Sequence, residues 1–144
     1  MAGFAFYPED IAPSTAFPDG HLVRRPVALV GLSKGTSCVE PFYALLDTGA
    51  DYCIFPSDYL EALKIDRASL GTAQVHGVGT DLVPFAEVTL SIAGLGEWPV
   101  KAGFSDLYKH KNFGFLGNRG FFDRFAVVFD FQNQECSIVV RKDD

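Results

Sequence analysis

Apolar residues in this chain recur at every second position or in short blocks, and glycine-, proline- and asparagine-bearing turns separate them. That pattern predicts strands. Val27 to Leu32 is an apolar, β-branched block, Ser33-Lys34-Gly35-Thr36 a turn, and Val39 to Leu46 a returning strand, together a hairpin. Thr72 to His76, Val83 to Ile92 and Trp98 to Phe104 read as two further hairpins in series, turning at Gly77-Val78-Gly79-Thr80 and Gly94-Leu95-Gly96-Glu97. Phe113 to Leu116 is a short strand; Phe125, Val127, Phe129 and Phe131 alternate before a last hairpin closed by Cys136 to Val140. Helical signals are brief. Ser57 can cap a two-turn helix with Leu60 and Leu63 on one face, and Asn118 a short helix through Arg124. Ser105 to Asn112 is polar and basic and reads as a solvated loop. The first 21 residues, with Pro8, Pro13, Pro18 and Gly20, form an N-terminal arm with a short strand at Phe4 to Tyr7. Residues 22–144 form one all-β domain.

Within this frame the stretch ALLDTGADYCIFP, residues 44–56, stands out. An apolar strand runs into Asp47-Thr48-Gly49-Ala50 and returns at once to apolar sequence. A carboxylate there sits at the end of a buried strand, in a tight turn whose backbone polar groups must find partners. Thr48 supplies a hydroxyl that both donates and accepts, and Gly49 lets the backbone approach closely.

Composition narrows the function. The 144 residues suffice for one core, with 48% hydrophobic residues, fourteen Phe and fourteen Gly. A net charge of −6, without a run of Lys or Arg, argues against nucleic acid. Cys38, Cys53 and Cys136 lack metal-type spacing and read as reduced thiols, so neither metal nor cofactor is expected. The N-terminus lacks the charged-then-apolar order of a signal peptide, and no apolar run approaches the ~20 residues that span a bilayer. A cytoplasmic protein without membrane contact is expected.

Three separated features resemble the retroviral-type (retropepsin-like) aspartic proteases, over roughly residues 22–141. ALLDTGAD, residues 44–51, is similar to the family's catalytic loop with its apolar lead-in. Val75-His76-Gly77-Val78-Gly79 resembles its glycine-rich flap, Gly77 standing 30 residues (77 − 47) beyond the aspartate. Phe115-Leu116-Gly117-Asn118-Arg119 resembles the hydrophobic-hydrophobic-Gly segment, Gly117 standing 70 residues (117 − 47) beyond it.

The resemblance implies a single-lobe acid-protease barrel with one or two short helices, active as a C2 homodimer. It implies an endopeptidase whose catalytic loop is Asp47, Thr48 and Gly49. An extended polypeptide substrate would contact Ala50, Asp51, His76, Gly77, Val78 and Gly79. The chemistry needs two carboxylates sharing one proton, and the chain holds one Asp-Thr-Gly, so the second Asp47 must come from a second copy. Ala50 stands where related enzymes often carry a hydroxyl that stabilises the ionised acid. Its absence predicts activity at weakly acidic to near-neutral pH. Family members pair an Arg directly after the third motif's Gly with the Asp two after the catalytic Gly. Here Asn118 holds that place and Arg119 comes one later, so an Asp51–Arg119 pair is left open. Phe113 and Phe115 are candidates for lining a pocket. Two other readings stand beside the protease: a non-catalytic homodimeric peptide-binding or scaffold module of the same fold, and a monomeric β module whose Asp-Thr-Gly is structural.

Overall fold

A computed structural model of the chain describes residues 4–76 and 82–140. The strands are β1 (Phe4–Ile11), β2 (His21–Lys34), β3 (Ser37–Cys38), β4 (Phe42–Leu46), β5 (Ile54–Pro56), β6 (Thr72–Gln74), β7 (Leu82–Ile92), β8 (Gly96–Ser105), β9 (Phe113–Leu116), β10 (Phe125–Asp130) and β11 (Glu135–Val140). Helical structure among the described residues is confined to α1 (Tyr59–Ala62) and two 3-10 turns, Arg67–Ser69 and Asp106–Tyr108. The fold is the expected all-β one.

Pairing closes the main sheet on itself. Its order is β1-β2-β4-β9-β5-β8-β7-β6, and β2 also pairs with β7, so β2, β4, β9, β5, β8 and β7 form a ring. The 14-residue β2 makes closure possible: Val27 to Val30 pair with β4, and Val30 to Ser33 pair with β7. β1 and β6 lie outside the ring, on β2 and β7. The strand expected at Phe4 to Tyr7 runs on to Ile11 and pairs with β2 along its whole length.

The ring is filled by side chains from its inward positions. Phe42, Phe55, Phe104 and Leu116 are fully buried, and Phe42 and Phe55 meet edge-to-face at 5.6 Å. Burying each such side chain contributes about 1.5–3 kcal/mol. The β10–β11 hairpin is a separate two-stranded sheet. Phe125 ties it to the core against Trp98 at 5.0 Å, and Phe131 meets Phe6 of β1 at 5.0 Å.

Two local expectations need correction. Residues 118–124 form turns instead of a helix. The Asn118 and Arg119 N–H groups donate to Ala50 and Asp51, 2.8 and 2.9 Å away, and Gly120 takes φ +113°, which ends helical geometry. Ser57 likewise does not cap α1: the N-cap is Asp58, without a side-chain cap bond.

Candidate active site

The Asp47 loop is built by a crossing of backbones. β4 and β9 run parallel, with Leu45 opposite Phe115 and Leu46 opposite Leu116. β5, on the far side of the loop, meets β9 at Ile54–Phe115. β9 therefore lies between the strands that enter and leave the loop. Leu116 O accepts from Asp47 N at 3.0 Å, and the Asn118 and Arg119 N–H groups hold Ala50 and Asp51 as described above. A Cβ on Gly117 would lie 2.3 Å from Tyr52 O and 2.7 Å from Ala50 O. Real Cβ atoms do not approach backbone oxygens so closely, so glycine is required where the loop crosses β9.

The loop is also closed from within. Ala50 N donates to Asp47 O at 3.1 Å, a β-turn. Gly49 N donates to Asp47 Oδ1 at 3.0 Å, an Asx turn that fixes the carboxylate's direction. Asp47 is half-buried, whereas Thr48 and Gly49 at the tip are exposed.

Asp47 opens onto a cavity of about 320 Å³. Gly49, Ala50 and Asp51 continue the loop's side of it, and Ile54, Val83 and Phe115 form an apolar wall. Val75 and His76, directly after β6, line another side. Leu107 and Tyr108 complete it from the second 3-10 turn. Tyr108 packs on Phe115 at 4.9 Å. Burial raises the Tyr108 phenol above its ordinary pKa, and the Asp47 carboxylate adds to the shift. Three hydrogen bonds fix this turn. Ser105 Oγ accepts from Leu107 N at 3.2 Å, and Arg67 donates both ends of its guanidinium to Asp106, each at 2.8 Å. Hydrogen bonding from Arg67 holds the Asp106 carboxyl well below the usual carboxylate range.

The structure thus gathers Asp47, Gly49, Ala50, Asp51 and His76 around one cavity. Thr48 stays at the exposed tip, outside the lining. Gly77, Val78 and Gly79, expected from the resemblance to form a flap, lie outside the described residues. Phe115 lines the cavity, and Phe113, outside the lining, meets it edge-to-face at 5.8 Å. Asp51 and Arg119 are joined through main chain alone; among the described residues no ion pair links their side chains. Leu107 and Tyr108 are the contributors that the pattern concealed. Their segment is mostly exposed, as a solvated loop should be, yet Tyr108 turns inward. Ser-Asp before an apolar-aromatic pair, a capped 3-10 start, was the available signal. No three His, Cys, Asp or Glu side chains among the described residues come together as a metal site.

No family model matches the sequence, and no curated protein matches it. Among solved structures the chain is similar to the crystal structure of a retropepsin-like aspartic protease from Rickettsia conorii. The two are 13% identical with a TM-score of 0.49, over 96% of this chain and 98% of that one.

Proposed function

We propose that this chain is an aspartic endopeptidase of the retropepsin type, working as a C2 homodimer with one Asp47 from each copy. The observation that carries the proposal is the seat of Asp47. A half-buried carboxylate is aimed by an Asx turn into a cavity with apolar walls, on a loop locked over Gly117. A structural turn aspartate needs neither a cavity nor a crossing of this kind.

In the dimer the two Thr48-Gly49 tips, exposed in the single chain, meet across the two-fold axis and set the carboxylates side by side. Like charges so close cannot both ionise, so the pair shares one proton. The ionised acid takes a proton from water as it attacks the peptide carbonyl, while the protonated acid polarises that carbonyl. An extended peptide lies in the joined clefts, with apolar side chains against Ile54, Val83 and Phe115. Ala50 offers the acid no hydroxyl, so the working range lies at weakly acidic to near-neutral pH.

The test is incubation with a peptide library, with and without a pepstatin-type inhibitor, comparing wild type with Asp47→Asn. Inhibitor-sensitive cleavage that Asp47→Asn abolishes is the expected result. Peptide binding without cleavage, unchanged by Asp47→Asn, would replace it with the non-catalytic binding module.

A further inference from the structure

Next to the cleft lies a second depression of about 320 Å³, whose lining includes Lys101 of β8 and Arg119 of the segment after β9. Among the described residues neither cation takes part in an ion pair. The facing carboxylate, Glu87, is opposite Lys101 in the β7–β8 register but is not within ion-pair distance. On a chain of net charge −6, two unengaged cations in one depression are a local reversal of sign.

The depression adjoins the cleft at Tyr52, which lines both. So does the segment of β6: Thr72 and Ala73 border the cationic depression, and Val75 and His76 border the cleft. β6 ends the order of the main sheet and, among the described residues, pairs only with β7. Among the described residues its other edge is unpaired, and an extended peptide can pair with that edge as an added strand. Three to four residues separate His76 from Ala73 and Thr72, a path of roughly 10–13 Å at strand rise.

We infer that Lys101 and Arg119 form a distal subsite that selects an acidic side chain, Asp or Glu, three or four residues from the bond held at Asp47. The inference rests on the cleft being a peptide site, as proposed above. Bound along β6, such a peptide places apolar side chains in the cleft and a carboxylate between the two cations. Both cations are exposed, so the selectivity is moderate, about tenfold for acidic over basic, and it weakens as salt rises.

The experiment compares wild type with the double charge reversal Lys101→Glu/Arg119→Glu, whose exposed positions leave the fold intact by thermal melt. Peptides randomised on both sides of an apolar pair are digested and the cleaved members sequenced. Binding of fluorescein-labelled Glu-bearing and Lys-bearing pools to both proteins is measured in parallel by anisotropy, at low and high salt. Acidic residues enriched at the distal position by wild type, and basic ones by the reversal, support the inference. Cleavage indifferent to distal charge overturns it while leaving the protease intact. No cleavage, with acidic pools still bound about tenfold tighter and the preference inverted by the reversal, supports the subsite and sinks the protease. Neither cleavage nor charge-dependent binding overturns both.

Discussion

Replacing Gly117 with alanine tests the crossing that seats Asp47. The added methyl meets main-chain atoms of Tyr52 and Ala50, and no rotamer can relieve that contact. Relief requires β9 and the loop to separate, which strains or breaks the bonds from Asn118 N to Ala50 O and from Arg119 N to Asp51 O. Each contributes about 0.5–1.5 kcal/mol net, and overpacking a close site costs about 1–3 kcal/mol more. The expected loss is therefore about 2–6 kcal/mol, on the order of 10 °C in melting temperature for a chain this size. Urea denaturation at fixed protein concentration measures it. Gly71→Ala is the control: its φ is ordinary for any residue and a methyl there meets nothing within 4 Å, so it should stay within about 0.5 kcal/mol of wild type. In the retained folded fraction, peptide cleavage by Gly117→Ala should fall further than stability does, because the loop has moved. If Gly117→Ala were as stable as Gly71→Ala and fully active, the seating of the loop on β9 would be refuted.

Three further outcomes are expected. Tyr108→Ala should lower kcat/KM for apolar peptides about tenfold, with stability changing by roughly 1 kcal/mol, because it opens the cleft wall beside Phe115; equal activity with a wild-type melt would remove Tyr108 from the site. Asp106→Asn should cost less than about 1 kcal/mol at neutral pH, since both partners are largely exposed. The Asp106 carboxyl titrates lower in the folded chain than in the unfolded one. Its contribution is therefore full above the ordinary Asp range and fades as pH falls toward the lower folded value, so the wild-type and variant urea midpoints should converge in acid. Of the three cysteines, exposed Cys38 should react with a thiol reagent at pH 8 and buried Cys53, its pKa pushed up to about 11, should not until the chain is unfolded; fast labelling of Cys53 would contradict its burial.

Strand positions were legible because alternation and turn residues agree. Phe113 to Leu116 and the hairpin from Val83 to Phe104 stand within a residue or two of where the pattern puts them. The Asp47 loop was legible for the same reason: an apolar strand that stops at Asp-Thr-Gly has few ways to satisfy its backbone. Residues 118–124 misled because Asn118 is a plausible cap in isolation. Its N–H is taken by Ala50, a partner 68 positions away (118 − 50), which no local pattern records. Tyr108 was hidden for a related reason. The Arg67–Asp106 fork that fixes its turn joins residues 39 apart, and sequence spacing says nothing of such a meeting. Ring closure through β2–β7 was equally invisible to the residue pattern, because one long strand serving two neighbours reads like any other long strand; only the resemblance implied a barrel.

The loop that carries the acid gets its shape from Leu116, Asn118 and Arg119. During synthesis, Asp47 leaves the ribosome long before those residues exist to receive it. A nascent chain ending before Phe115 can form the Asx turn at Asp47 but lacks the β9 partners that hold the loop, and it lacks the wall that Phe115 provides. Seating of the loop is thereby deferred until residues 115–119 have been made, so the timing of the cleft's assembly is written into topology.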